Sequence, residues 1–380
     1  MNLSHICFIV PGYPTDSEPI YTFVKQLVCS IADLGIKCSV IAPQSITKIC
    51  VKQRIRRPTF WQDTSERKNK IDVYQPTFVS FSNIKFLGTS ISRMLSEYSI
   101  MKTFKRIRNK PDVIYAHFWH SGVIAGIIGQ KYNLPVFVAT GESKIWVKNL
   151  YRDKKLYKSL KDIKGVICVS TKNMEESINL KLATQDKMTV IPNAINNKLF
   201  YPMDKTEVRK KLGYKQEDFI VAYTGAFSHR KGVLRLSEAV KTISGVKSIY
   251  IGSGDLKPTE EGILFMGRLP HDQVAYYLNA ADVFVLPTLA EGCCNAIIEA
   301  MACGLPIVSS NQRFNDDILD DSNSIRIDVN DVEAIRQAII LLRDNSELRK
   351  KMSEASLAKA LSFTIDNRAK NIIKFMESKI

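Results

Sequence analysis

An alternation that starts, lapses and starts again limits what this chain can fold into. Short runs rich in Val and Ile, HICFIVP (5–11), KCSVIAP (37–43), DVIYAHF (112–118), PVFVAT (135–140) and KGVICVS (164–170), are separated by helical patterns such as YTFVKQLVCSIADLG (21–35) and SGVIAGIIGQKY (121–132). Strands that are apolar on both faces, each followed by a helix, specify a parallel sheet covered on both sides. The periodicity lapses over KMTVIPNAINNKLFYP (187–202), which reads as a connection. It resumes with DFIVAYTG (218–225), KSIYIGSG (247–254), GILFMG (262–267), ADVFVLP (281–287) and PIVSS (306–310), with KGVLRLSEAVKTI, HDQVAYYLNA and NAIIEAMACG as helices between them.

The predicted fold class is therefore α/β, with two doubly wound, Rossmann-like domains facing across a cleft at the C-terminal ends of their strands, where open α/β sheets bind ligands. A chain of 380 residues exceeds what one core usually serves. The expected boundaries are 1–198, 199–362 and a C-terminal helix, 363–380. The segment from DVEAIRQAIILLRD onward reads as helical throughout. Ile365, Ile372, Ile373 and Phe375 near its end need a surface to cover them, and the first domain is the expected one.

Charge is uneven. Residues 1–199 hold 30 Lys and Arg against 14 Asp and Glu, whereas residues 200–380 hold 24 of each, so the net +16 sits in the first half. It concentrates in VKQRIRR (51–57), KTFKRIRNK (102–110) and KNLYRDKKLYKSLKDIK (148–164). Basic clusters interleaved with Trp, Tyr, Phe, Leu and Ile suit an anionic membrane surface or a lipid-linked phosphate as well as plain solvated surface. No nucleic-acid recognition motif accompanies them, so nucleic acid is not an expected partner. The opening MNLSHICFIVPGY lacks a basic region and is broken by Pro11-Gly12, which reads as a buried strand and not as a signal peptide. No apolar stretch approaches the roughly 18 residues of a spanning helix. Eight cysteines at scattered positions, without Cys-x-x-Cys spacing, fit small hydrophobes in a reducing compartment, and the cytosol is the expected location.

The chemistry is expected around EGCCNAIIEA (291–300). The helix that begins near Cys294 or Asn295 offers first-turn amides without helical partners, a seat for a phosphate or diphosphate, and Gly292 lets the backbone come close. Carboxylates repel such a ligand, so Glu291 and Glu299 suit hydrogen bonds from sugar hydroxyls on either side of it. A helix cap and a surface charge are the plainer reading of that pair. Cys293 and Cys294, being adjacent and without a His or third Cys at suitable spacing, read as small residues and not as metal ligands, and no metal site is expected. In GAFSHRKG (225–232) Gly225 begins a turn that presents Lys231 and Arg230 to a phosphoryl group. Gly252 in IGSG and Gly12 in PGYPTDSEP (11–19) provide further close approaches. His117, at a strand's C-terminal end, is a candidate polar contact to substrate, with a satisfied structural histidine as the alternative. His120 is a weaker candidate, and Asn193 and Glu142 are polar groups at the presumed mouth, the latter able to touch an acceptor.

These residues resemble family 4 glycosyltransferases of the GT-B fold, over nearly the whole chain and most densely over 187–310. Glu291 and Glu299 match the family's Glu-x7-Glu signature, Asn295 and the run IIEAMACGLPIV match its surroundings, and IPNAIN is similar to its Pro-Asn-Gly segment. GAFSHRKG is similar to Gly-Arg-x4-Lys-Gly, with Ala226 where the family usually has Arg, so one customary phosphate clamp is missing and Arg230 is its possible substitute. The resemblance implies a retaining transfer from a nucleoside diphosphate sugar, with a UDP-sugar as the expected donor, without a metal cofactor or an enzymic nucleophile. It implies that Lys231 and the amides after Gly292 stabilise the leaving group, that Glu299 holds the ribose, and that Glu291 and His117 contact the donor sugar. Domain closure would exclude water. The members most similar, judged also by GYPTDSEP and HFWHSG, build bacterial capsular, teichuronic or lipopolysaccharide chains. That implies a polyprenyl-diphosphate-linked or other saccharide acceptor and a peripheral position on the inner face of the cytoplasmic membrane. A noncatalytic nucleotide-sugar binder and an epimerase of related fold are the rival readings.

Overall fold

The computed structural model describes residues 3–15, 20–51, 55–81, 84–86 and 89–380. Residues 16–19 of the PGYPTDSEP turn and 52–54 of the first basic cluster lie outside the described residues, as do 1–2 of the opening strand segment. Two compact units result, Met1–Ile191 with Asp366–Ile380, and Pro192–Ile365.

The first unit is built on strands β1 (His5–Ile9), β2 (Lys37–Ile41), β3 (Phe60–Thr64), β4 (Lys70–Tyr74), β5 (Val113–His117), β6 (Val136–Thr140), β7 (Gly165–Cys168) and β8 (Met188–Val190). They form one sheet in the order β8-β7-β6-β5-β1-β2-β4-β3, parallel except for β3. Strands β1, β5, β6 and β7 are buried along their whole length, as strands covered on both faces must be. Helices α1 (Thr22–Asp33), α2 (Ile91–Arg106) and α3 (Trp119–Tyr132) belong to this unit. One continuous core joins Ile9, Ile114, Trp119, Ile124, Val138, Leu156 and Val166.

The C-terminal helix Ile365–Glu377 is part of the same unit. Ala369, Ile372 and Met376 are fully buried, Phe375 meets Phe137 edge-on at 6.2 Å, and a Cβ on Gly165 would lie 2.7 Å from the Phe375 ring. That glycine is what lets the helix sit so close to the sheet.

The second unit has strands β9 (Phe219–Thr224), β10 (Val246–Ile251), β11 (Ile263–Gly267), β12 (Val283–Leu286), β13 (Ile307–Ser310) and β14 (Ser324–Ile327), all parallel, in the order β11-β10-β9-β12-β13-β14. Helices α4 (Val233–Lys241), α5 (His271–Ala280) and α6 (Asn295–Ala302) connect them. The order reverses between β9 and β12, which makes their C-terminal ends the switch point where a crevice opens. In the first unit the same reversal falls between β1 and β5.

Three details differ from the sequence reading. Met188–Val190, inside the presumed connection, pairs with β7 as the outermost parallel strand. Strand β14 follows PIVSS and completes the second sheet. The terminal segment is helical but interrupted twice: Asn345 ends Val332–Asp344 and its side chain accepts from the Leu348 amide to cap Ser346–Ala360, and a 3-10 turn at Leu361–Phe363 ends that helix in turn.

Candidate functional site

In the second unit the loops after β9, β10 and β12 leave the same edge of the sheet because the three strands are adjacent and parallel. The IGSG turn binds back on its neighbour: Gly225 donates to the Ile251 carbonyl at 2.9 Å and Gly252 to the Gly267 carbonyl at 2.7 Å. A Cβ on Gly252 would lie 1.9 Å from the Gly225 carbonyl oxygen, so only glycine permits this approach.

The loop before α6 is tied down from two directions. Asn193 Nδ2 donates to Asn295 Oδ1 at 2.8 Å and to the Cys293 carbonyl at 3.3 Å. On the other side Leu289 donates its amide to the Arg230 carbonyl at 2.8 Å, and Arg235 Nη2 donates to the Pro287 carbonyl at 2.8 Å. The loop therefore delivers a fixed backbone to Cys294, the residue before α6, whose side chain makes no capping bond. The Ile297 amide turns back to the Cys294 carbonyl at 3.2 Å, which leaves the Asn295 and Ala296 amides and the positive end of the dipole as an anion seat.

Three groups meet at one oxygen beside that seat. Lys231 Nζ lies 2.7 Å from Glu291 Oε1, Arg230 Nη1 2.9 Å from it, and Thr288 Oγ1 donates to it at 2.8 Å. Burial opposes the charge on Lys231, but the Cys294 sulfur and the Glu291 carboxylate outweigh it and raise the ammonium's pKa above its usual value. Burial pushes the Cys294 thiol up to about 11, against the pull of Lys231. That thiol is protonated at neutral pH, so Glu291 is the partner that keeps Lys231 charged. Two cations and one carboxylate leave the cluster with a net positive charge.

Eight positions on, Glu299 is buried on α6 and its Oε1 lies 3.0 Å from Nε2 of His271, at the start of α5. The bond to Glu299 raises the His271 pKa against the effect of burial. The Phe200 ring packs 5.0 Å from the imidazole. Sequence reasoning missed His271 because nothing in the spacing links it to a helix 28 residues on. Ala226 is exposed and its carbonyl accepts from the Tyr223 hydroxyl at 2.8 Å.

The first unit presents His117 at the end of β5, beside the switch point, and Gly12 in the turn after β1. His117 is buried between Phe23 and Phe118, with ring centroids at 5.2 and 4.4 Å. Its Nδ1 makes no hydrogen bond among the described residues. Burial, then Arg368 and His120, lower its pKa to about 3, so the ring is neutral at physiological pH. Phe118 holds φ at +70°, a conformation that costs a side-chain-bearing residue about 1–3 kcal/mol and that clusters at functional sites. His120 is lowered to about 4 by burial and Arg93. Glu142 is half-exposed, and its carboxylate is engaged within the first unit. One oxygen accepts from the Trp119 amide at 3.0 Å and the other from Thr140 Oγ1 at 2.6 Å and the Gly141 amide at 2.9 Å, which makes it a cap of α3. All eight cysteines are free thiols, most of them buried, but Cys50 is exposed, contrary to the reading of every cysteine as a small hydrophobe. Among the described residues no helix is long and apolar enough to cross a membrane.

Comparison with known proteins agrees with this architecture. The profile of Glycosyltransferase Family 4 matches residues 21–199, and that of Glycosyl transferases group 1 matches 204–359. The chain is 30% identical over 320 residues to a putative teichuronic acid biosynthesis glycosyltransferase, TuaC, of Bacillus subtilis (strain 168), covering 80% of each protein. It is 27% identical over 284 residues to the UDP-Gal:alpha-D-GlcNAc-diphosphoundecaprenol alpha-1,3-galactosyltransferase of Escherichia coli, covering 68% of this chain and 72% of that one. Among solved structures, sucrose-phosphate synthase from Thermosynechococcus elongatus superposes with a TM-score of 0.79 at 18% identity over 99% of this chain and 98% of the other. HepE from Anabaena, solved in complex with UDP, gives 0.72 at 15% over 99% and 100%. Two Rossmann-like units, the Glu-x7-Glu pair on α6 and relatives of this identity and coverage lead to one conclusion: the chain belongs to the family 4 glycosyltransferases and is an enzyme of the GT-B fold.

Proposed function

We propose that the enzyme moves a sugar, with retention of anomeric configuration, from a UDP-sugar to a polyprenyl-diphosphate-linked saccharide during synthesis of a cell-surface polysaccharide. The observation that carries this reading is the Lys231–Glu291 pair, 2.7 Å apart beside the uncapped start of α6. It sets a charged ammonium next to free helix amides, the combination that a departing diphosphate needs. In this reading the diphosphate rests on the amides after Gly292 and past Cys293, Cys294 and Asn295, with Gly225 and Gly252 allowing its close approach. Lys231 and Arg230 neutralise it, and the reading assigns that work to these cations and not to a metal cofactor. Glu291 accepts a hydroxyl of the donor sugar and Glu299 accepts the ribose hydroxyls in exchange for His271. The neutral His117 hydrogen-bonds the donor sugar through a ring nitrogen.

The bond between the sugar's anomeric carbon and the diphosphate oxygen breaks. The acceptor oxygen bonds that carbon on the same face, and its proton passes to the departing diphosphate. The diphosphoundecaprenol acceptor in the name of the Escherichia coli relative supports a lipid-linked acceptor, and teichuronic acid biosynthesis in that of the Bacillus relative supports a role in making a cell-surface polysaccharide. In this reading the enzyme works at the inner face of the cytoplasmic membrane.

The test incubates purified protein with a panel of nucleotide sugars and membrane lipid extracts and weighs the products. A glycolipid heavier by one sugar, formed from a UDP-sugar, is expected. Conversion of the nucleotide sugar without any acceptor would instead identify an epimerase, and UDP binding with no product under any combination would identify a noncatalytic binder.

A further inference from the structure

The two glutamates of α6 and its approach are held differently. Lys231, Arg230 and Thr288 fix Glu291, whereas among the described residues the imidazole of His271 alone bonds the Glu299 carboxylate, Nε2 to Oε1 at 3.0 Å. We infer that His271 is the resident occupant of the ribose seat and sets its selectivity: it bonds Glu299 until the ribose hydroxyls of a nucleoside diphosphate displace it, so that ribonucleotide binding releases a proton and tightens as pH rises. This role of His271 rests on the proposed place of the ribose at Glu299.

The ring can leave and the carboxylate cannot. His271 is the first residue of α5 and follows Pro270, in a turn whose amides need no helical partner. Its side chain is 44% exposed, that of Glu299 only 11%. Phe200 closes one side of the imidazole at 5.0 Å, and solvent lies on the other. Once the ring has turned away, a buried carboxylate is left without a donor, which is unfavourable unless the incoming ligand replaces the lost bond. The adjacent hydroxyls of a ribose replace it. A nucleotide that lacks them does not, and His271 stays where it is.

The proton follows from the same geometry. On Glu299 the imidazole is paired with a carboxylate, and that bond raises its pKa against the effect of burial. Turned away, it keeps Asp272 of its own helix and stands at the positive end of α5, which disfavours a cation. Other groups around α5 do not take over. The helix Lys205–Leu212 packs on α5, but its Arg209 bonds the Ala280 carbonyl at the far end. Burial raises the thiols of Cys294 and Cys303 beside Glu299, the former to about 11, so both are neutral at physiological pH. The ligand-free enzyme thus has the higher His271 pKa. Below it the protonated ring competes best for Glu299, and affinity for the ribose grows as pH rises from the ordinary 6.5 through the raised value.

The test measures the Kd for UDP by calorimetry between about pH 6 and pH 8, for the unaltered protein and for His271→Gln, and repeats both with 2′,3′-dideoxy-UDP. Titration of the nucleotide's own phosphate is common to all four series, so differences between them belong to the protein. Over that range the unaltered protein should gain about twofold to fivefold more in UDP affinity than the variant, the range that a partly exposed ion pair supports. Near pH 6 His271→Gln should bind UDP more tightly than the unaltered protein, whereas loss of a residue that merely positions Glu299 would weaken binding at every pH. With the dideoxy nucleotide the two proteins should respond to pH alike. In the unaltered protein UDP should gain more from rising pH than the dideoxy nucleotide does, a comparison that needs no variant. Equal pH responses of the two nucleotides there, weaker UDP binding by a folded variant near pH 6, or a difference between the proteins that persists with the dideoxy nucleotide would overturn the role of His271. No binding of UDP by the unaltered protein at any pH would overturn the donor reading itself, an outcome distinct from these.

Discussion

Lys231 Nζ and Arg230 Nη1 converge on the same oxygen of Glu291, at 2.7 and 2.9 Å. The carboxylate fixes the ammonium in place without cancelling the pair of positive charges. A diphosphate that arrives there finds its counter-charge already oriented, so little reorganisation is left for the reaction itself.

Lys231→Ala should lower kcat by about 100- to 1,000-fold, the usual cost of removing one preorganised donor to a developing charge. Arg230→Ala, which removes an exposed partner, should cost less than about tenfold. Steady-state rates with saturating donor distinguish the two, and equal losses would contradict the ordering.

Glu299→Ala should act on donor binding. A hydrogen bond to a charged group contributes about 1.5–3 kcal/mol, so the Kd for UDP should rise about tenfold to a hundredfold by calorimetry. Near-normal kcat/KM with the correct donor and acceptor would remove Glu299 from the ribose.

The His271–Glu299 pair predicts a pH dependence of stability. Its bond to Glu299 raises the folded-state pKa of His271 above the ordinary 6.5. The stabilisation is thus fully present below pH 6.5 and is lost as pH rises through the raised folded value. His271→Gln should be less stable than the unaltered protein below pH 6.5, with the gap in urea midpoint closing at alkaline pH. Because the imidazole is partly exposed, the gap should not exceed about 1 kcal/mol. A gap that widens with pH would show that the pair is not the cause.

Cys294→Ala and Cys293→Ser should retain activity within about threefold, as expected where the backbone and not sulfur chemistry binds the ligand. In the native enzyme at neutral pH iodoacetamide should label exposed Cys50 and leave Cys294 unmodified, since Cys294 is buried and its thiol is raised to about 11. Peptide mass mapping reads both sites, and rapid labelling of Cys294 would contradict the assignment.

Gly252→Ala should be among the most damaging single changes. The added methyl would sit 1.9 Å from the Gly225 carbonyl, so the turn would have to leave β9. Loss of UDP binding together with about 2 kcal/mol or more of stability is expected from denaturant melts.

Much of this architecture can be read from the chain, for a physical reason. Strands β1, β5, β6 and β9 are buried along most or all of their length, so their side chains are almost uniformly apolar, and the amides at the start of α6 follow from where EGCCN must turn into a helix. Strand β3, FWQDT, is an antiparallel edge with alternate residues exposed, and β8 has only three residues, two of them half-buried, so neither carries an apolar run. The pairings that complete the site are beyond local pattern. Lys231 meets Glu291 across 60 residues and His271 meets Glu299 across 28, both through parallel strands whose order no single-chain periodicity specifies. The left-handed Phe118 has no sequence signal, because nothing in HFWH calls for a residue other than glycine at that angle.

The placement of helix Ile365–Glu377 on the first sheet also bears on how the protein is made. During synthesis the first unit emerges first, yet it lacks the surface contributed by Ala369, Ile372 and Met376 until that helix has followed Pro192–Ile365 out of the ribosome. Pro192–Ile365 can reach its final packing earlier, so the half that is translated second is positioned to finish folding first. At about 5–20 residues per second the first sheet must wait on the order of ten seconds or more with an apolar strip uncovered. That interval is when the nascent chain is most exposed to misassociation, and a chain truncated before Ile365 would never close it.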